Sequence, residues 1–159
     1  MSVFGRPRGL RRDALLAAAI AAVQVGATAA ASTHQAHRRP LDALAVALLV
    51  GSAAALTARS RHPVAVLWTT FVLTGAYWAL NYPGGPVFLA MIVALVTVVR
   101  TGRRLVAWTS LAVGYVTFGW VAPALAGDPA PTLAGALGTA AWLLLIGTGA
   151  EVFRARREH

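Results

Sequence analysis

The chain contains no cysteine, and none of its basic residues is lysine. Without cysteine there is neither a disulfide framework nor a thiolate metal site. Charge is also scarce: 12% of the 159 residues are charged, whereas 58% are hydrophobic, and mean hydropathy is +0.66. A soluble core of this size does not hide so much apolar surface, but a lipid bilayer solvates it. The composition therefore predicts a membrane protein.

Acidic residues are few, and the net charge of +9 comes entirely from arginine. Such an excess is typical of nucleic-acid binding only when it forms a basic face on a soluble domain. Here the arginines form short clusters between apolar runs, a pattern that is typical of membrane topology signals. We therefore expect the lipid bilayer as a partner, and no nucleic acid.

Motifs that carry chemistry are absent as well. There is no Gly-rich phosphate loop, no nucleophile set and no carboxylate pair in a plausible pocket. We predict no catalytic residue, no cofactor and no metal, and hence no enzyme activity for this chain. His34 and His37 stand three residues apart, but without a neighbouring cysteine or carboxylate they make a weak metal site. A solvated loop is the favoured interpretation, and a pH-sensing role is chemically open.

Six apolar runs predict an all-α polytopic membrane protein, a bundle of six transmembrane helices. Roughly 20 residues cross a bilayer as a helix. The first run also has features of a signal peptide, with a cleavage-like site at 29–31, and its removal would leave the later topology unchanged. The predicted spans are about 14–31, 41–58, 63–80, 86–99, 105–126 and 132–150, after a basic cytoplasmic arm at 1–13 and before the start of a juxtamembrane helix at 151–159.

The arginines predict the orientation of these spans. Short cytoplasmic loops carry an excess of basic residues. With the N-terminus in the cytoplasm, only Arg38 and Arg39 fall outside the cell. Both termini then lie on the cytoplasmic side of the plasma membrane. The arginines that then fall inside are Arg6, Arg8, Arg11, Arg12, Arg59, Arg61, Arg100, Arg103, Arg104, Arg154, Arg156 and Arg157.

The third and fourth spans form a hairpin around an uncharged turn, which consists of Tyr82, Pro83, Gly84, Gly85 and Pro86. The two prolines break the helix and reverse the chain. We expect Gly84 and Gly85 to adopt backbone angles that a Cβ would penalise; a tolerant surface loop is the alternative. The fourth span is short, with about 21 Å of helix at 1.5 Å per residue. It crosses fully only if Arg100 reaches back to the interface or the turn dips into the bilayer.

Two polar side chains fall near the middle of predicted spans. Gln24 lies in the first span and Tyr115 in the fifth. Polar groups at that depth need partners, so hydrogen bonds between helices are the favoured interpretation. A ligand site is the alternative, although no charged residue lies at mid-membrane to mark a transport path.

The sixth span carries a stripe at heptad-like spacings of three and four residues. Small residues on such a stripe let two helices approach closely in lipid. We predict that the stripe packs against its copy in a homodimer and passes a signal into the cytoplasm; packing against another span of the same chain is the alternative. The stripe consists of Gly135, Gly138, Trp142, Leu145, Gly149 and Val152.

Several of these segments resemble the N-terminal transmembrane sensor region of actinobacterial-type two-component sensor histidine kinases. The resemblance covers most of residues 11–157. It rests on Arg-Arg-Pro-Leu-Asp-Ala at 38–43, Arg-His-Pro-Val-Ala-Val-Leu at 61–67, Tyr-Pro-Gly-Gly-Pro-Val-Phe-Leu-Ala at 82–90, Val-Ala-Leu-Val-Thr-Val-Val at 93–99 and Gly-Arg-Arg at 102–104.

The resemblance implies a membrane-embedded input module whose last helix leads to a dimerisation helix and an ATP-binding domain. The kinase core has no counterpart before His159, so a response regulator is expected as a partner only through that absent region. The alternative is a small integral membrane protein that stands alone, as a transporter, channel or scaffold subunit. A coding continuation beyond His159 favours the first function, and a stop codon favours the second.

Overall fold

A computed structural model describes residues 7–157, and every regular element among them is a helix. Three of these helices, namely the first, fifth and sixth, are long and apolar enough to span a membrane, which suggests membrane association. The helices in this range are α1 (Pro7–Ser32), α2 (Ala43–Ala58), α3 (Pro63–Ala79), α4 (Leu89–Arg100), α5 (Arg104–Ala126) and α6 (Leu133–Arg157).

Local sequence explains several helix ends. Asp42 caps α2, because its carboxylate accepts a hydrogen bond from the backbone N–H of Ala45 at 3.0 Å. Pro63 stands at the start of α3, where its missing N–H costs nothing. Gly127 ends α5 in the left-handed conformation, with φ at 79°. Within α5, a π-helical turn at Thr117–Val121 precedes Pro123, and the helix continues to Ala126.

The helices run alternately up and down, so the loops gather at two ends. At one end Arg59 Nε lies 2.9 Å from Asp13 Oδ1, and Arg104 Nη2 lies 3.1 Å from Glu151 Oε2. We call the other end the turn end; it holds the loops 33–42, 80–88 and 127–132. We call the first the Arg-rich end, after Arg11, Arg12, Arg59, Arg61, Arg100, Arg103, Arg104, Arg154 and Arg156.

Apolar side chains in the described range are buried in two clusters. The larger one contains residues of helices α1, α2, α3, α4 and α5, including Leu56, Leu67 and Leu95. The smaller one lies towards the turn end, around Tyr77 and Tyr82. Helix α6 contributes little to either. Its buried residues are Ala136, Gly147 and Ala150.

Two helix boundaries differ from those that the apolar runs predict. Helix α1 begins at Pro7, within the predicted polar arm, because a helix of arginine and leucine continues beyond the apolar run. Helix α4 begins at Leu89 and not at 86, since residues 86–88 still belong to the turn. Helix α6 runs unbroken through the predicted juxtamembrane segment to Arg157. Residues 1–6 of the predicted arm and 158–159 of the predicted tail lie outside the described residues.

Candidate functional site

Gln24 links three helices at the centre of the bundle. Its side chain is fully buried. The Nε2 group donates to the carbonyl oxygen of Leu49 at 3.1 Å and to Ser52 Oγ at 3.2 Å, both on α2. Its Oε1 accepts from the backbone N–H of Ala90 at 2.9 Å. Because the first N–H groups of a helix have no partner within it, this amide caps α4 from a neighbouring helix. Gln24 therefore allows α4 to begin deep in the bundle.

The turn before α4 is folded against the bundle. Tyr82 and Pro83 are buried, and the Tyr77 hydroxyl donates to the Pro83 carbonyl oxygen at 2.6 Å. Gln35 holds Gly84 on both sides: Nε2 donates to its carbonyl at 3.0 Å, and Oε1 accepts from its N–H at 2.8 Å. The turn is therefore held against the protein by side chains of α3 and of the loop after α1.

The two glycines of the turn have different roles. Neither has a positive φ, so the expectation that they adopt angles penalised by a Cβ is wrong. Gly85 is needed for a close approach, because an added Cβ would lie 2.9 Å from the Cα of Thr28 on α1. At Gly84 the nearest atoms would be 3.5 Å away, an ordinary contact. The reversal itself uses Asn81, whose φ is 60°.

Asp42 links the turn to the start of α2. Its Oδ1 accepts from the Tyr82 hydroxyl at 2.8 Å as well as from Ala45. The Ala45 N–H, and after it the Tyr82 hydroxyl, hold the pKa of Asp42 below its usual range. Arg39 lies over the Tyr82 ring, with its guanidinium carbon 5.0 Å from the ring centre. The carboxylate therefore remains charged and keeps the cap in place at neutral pH.

A cavity of about 590 Å³ lies beside α6 near the turn end. Its walls are mostly apolar and aromatic, as in sites that bind small ligands. Two glycines and a tryptophan of the predicted stripe form part of the α6 wall. The residues that line the cavity are Arg38, Trp78, Phe88, Met91, Ile92, Phe118, Pro123, Asp128, Gly135, Gly138, Thr139, Trp142, Leu143 and Ile146.

Arg38 is the cation of this cavity. Its Nη1 lies 3.1 Å from Asp128 Oδ2 and donates to Asn81 Oδ1 at 2.6 Å. Its guanidinium carbon is 5.8 Å from the ring centre of Trp78. The Arg38 side chain is 16% exposed and that of Asp128 31%, so the pair is partly withdrawn from solvent. It ties the loop before α2 to the loop before α6.

The structure divides the predicted stripe of α6. Gly135, Gly138 and Trp142 border the cavity, whereas Leu145, Gly149 and Val152 are exposed nearer the Arg-rich end. A Cβ added at Gly138 or Gly149 would meet nothing within 4 Å, so neither glycine packs against another described helix. Helix α6 approaches α5 closely at Gly147, where an added Cβ would lie 2.8 Å from the Leu111 side chain. Gly147 was not part of the predicted stripe.

The remaining candidates have lesser roles. Tyr115 makes no side-chain hydrogen bond with the described residues; it lines a second cavity of about 290 Å³ between α5 and α6, with Trp108 and Leu144. His34 and His37 are exposed on the loop after α1. In the described part of the chain, no group of three or more His, Cys, Asp or Glu residues could hold a metal ion.

Sequence reasoning missed the Arg38–Asp128 pair and the Arg59–Asp13 pair. Each joins residues far apart in the chain, and only opposite charge at the same predicted end could have indicated them.

No protein-family model, curated protein or solved structure matches this chain.

Proposed function

We propose that this chain is the membrane-embedded input module of a two-component sensor histidine kinase. In this proposal six helices cross the plasma membrane, with the Arg-rich end and both termini in the cytoplasm. The distribution of arginine supports that orientation, because basic residues are retained on the cytoplasmic side. Helices α2, α3 and α4 are short, and the buried turn before α4 supplies part of its crossing without exposing backbone to lipid.

The observation that carries the proposal is the cavity, because one of its walls is α6. Helix α6 then continues without interruption from Gly138 at the cavity to Arg157 at the other end. A small apolar ligand or a lipid chain in the cavity would contact α6 directly. A ligand in the cavity would shift α6 only to the extent that it binds more tightly to one placement of the helix than to another.

The light packing of α6 supports its role as the output element. Few of its residues are buried, and Trp142 and Leu145 are 60% and 64% exposed. A helix held by few contacts changes tilt or rotation at low free-energy cost. In the proposal two chains pair through α6, and the paired helices lead to the kinase region through which a response regulator is reached.

A chimera tests this function. Residues 1–159 would be joined in continuous helical register to the dimerisation and ATP-binding domains of a sensor kinase and reconstituted in vesicles. Gly138→Leu should fill the cavity and change autophosphorylation several-fold, because the new side chain occupies open space beside α6. Gly26→Leu is the matched control, since it also enters open space but on an exposed face of α1 away from the cavity.

Cross-linking at Leu145 in the same chimeras shows whether the α6 dimer is retained. Equal autophosphorylation in the parent chimera, Gly138→Leu and Gly26→Leu, with the dimer retained, would contradict the input role. It would leave the stand-alone membrane protein as the better explanation.

A further inference from the structure

A polar cleft of about 360 Å³ opens at the Arg-rich end, between the α2–α3 turn and the last turn of α4. It lies at the opposite end of the bundle from the cavity beside α6. We call it the arginine cleft, and it is lined by Arg59, Ser60, Thr97, Arg100 and Thr101.

The two arginines of the cleft differ in what holds them. Arg59 donates through Nε to Asp13 at 2.9 Å, and Asp13 is only 4% exposed. Arg100 is exposed and makes no ion pair or side-chain hydrogen bond with the described residues. Asp13 therefore pairs with one of the two guanidinium groups, and the cleft keeps a net positive charge. Such a site attracts a phosphate, which accepts hydrogen bonds from a guanidinium fork.

The hydroxyl groups of the cleft have already used their protons. Thr97 Oγ1 donates to the Val93 carbonyl at 2.8 Å, and Thr101 Oγ1 donates to the Val98 carbonyl at 2.7 Å. Ser60 Oγ donates to the Asp13 carboxylate. Each hydroxyl oxygen still has a lone pair for an outside donor. The cleft therefore combines donors for an anion with acceptors for a neighbouring hydroxyl group.

We propose that the arginine cleft binds the phosphoglycerol headgroup of an anionic phospholipid. The phosphate accepts from Arg100 and from the free N–H groups of Arg59, and the glycerol hydroxyls donate to the threonine oxygens. Basic pockets between helices at the cytoplasmic side of a membrane protein suit such headgroups. The bound lipid would hold the end of α4 against the α2–α3 turn, which Asp13 already ties to α1. This inference does not depend on a kinase role.

The test uses the 159-residue chain in vesicles of phosphatidylcholine, with or without phosphatidylglycerol. The readouts are the melting temperature, followed by tryptophan fluorescence, and the bound lipid counted by native mass spectrometry. We expect phosphatidylglycerol to raise the melting temperature, and Arg100→Gln to lose most of that rise and the retained lipid. Arg103→Gln is the matched control, because it removes an exposed charge nearby that does not line the cleft.

Two further arms separate the headgroup from other anions. Inorganic phosphate and glycerol 3-phosphate, added to phosphatidylcholine vesicles, should shift the melting temperature less than the lipid does. Phosphatidic acid, which lacks the glycerol headgroup, should also stabilise less than phosphatidylglycerol. The proposal is overturned if the wild type shows no lipid effect, or if Arg100→Gln and Arg103→Gln respond alike. It is also overturned if either soluble anion or phosphatidic acid matches phosphatidylglycerol.

Discussion

Single polar residues decide how the short helices of this bundle are held. Gln24 uses both ends of its amide to join α1 with α2 and α4. At the Arg-rich end, the Asp13 carboxylate accepts hydrogen bonds from Arg59 and Ser60. At the turn end, the Asp42 carboxylate caps the start of α2. A buried polar group without partners costs free energy, so these pairings favour one arrangement of the helices.

Gly85 gives the sharpest prediction at the scale of one residue. Gly85→Ala should destabilise the protein by about 1–3 kcal/mol, because the new methyl group is forced against the backbone of Thr28, which is itself fully buried. Gly84→Ala is the control and should change stability much less. Thermal unfolding in detergent, followed by tryptophan fluorescence, measures both. If the two variants unfold at the same temperature, the turn is not packed against α1 as described.

At the scale of the element, α6 differs from the other helices in how much of its surface is not packed against the rest of the described chain. Its inner face contacts α5 at Gly147, and its part near the turn end borders the cavity. Both Leu144 and Leu145 are exposed, at 55% and 64%, on different sides of the helix. A second copy of the chain thus has two apolar surfaces available, and the stripe prediction selects the side of Leu145.

Disulfide trapping distinguishes these two sides of α6. A single cysteine at Leu145 should cross-link two chains in membranes, because glycines on its side of the helix permit close approach. Leu144→Cys is the matched control, since a comparable exposure leads to random collisions at a comparable rate. The chain has no other cysteine to interfere. Similar cross-linking at both positions, or none at either, would exclude the stripe as a dimer contact.

At the scale of the whole molecule, ion pairs mark both ends. Asp13–Arg59 and Arg104–Glu151 lie at the Arg-rich end, and Arg38–Asp128 lies at the turn end. With Arg39–Asp42, the pairs at the turn end neutralise both of its arginines, whereas Asp13 and Glu151 pair with only two of the arginines at the Arg-rich end. The resulting difference in net charge between the two ends is the physical basis of the proposed orientation.

We expect cysteines at Ala36 and Ala130 to react with a membrane-impermeant thiol reagent in intact cells. Both positions are exposed loop sites at the turn end. Asn81 and Gly127 are less suitable, because their positive φ angles disfavour a new side chain. Cysteines at Ser2 and Glu158, one near each terminus, should react only after the cells are opened. Labelling of either terminal site in intact cells, or of neither loop site, would contradict six spans with cytoplasmic termini.

The sequence alone predicted an all-helical protein with apolar helices, and the structure of the described residues confirms this coarse class. Apolar runs, breakers and the arginine clusters are local properties, so they predicted helices, turns and two unlike ends. Periodicity also placed the stripe residues on one side of α6, because a helix has a constant turn per residue. The need of Gln24 for partners followed from its depth in an apolar run.

Only the tertiary structure decided which surfaces meet. The partners of Gln24, the approach of Gly85 to Thr28 and the cavity beside α6 all depend on distances between helices that are remote in the chain. The same is true of α6, where Gly147 and not the stripe glycines touches α5. Small residues permit close approach wherever they occur, but side-chain packing across the whole bundle selects the one that is used.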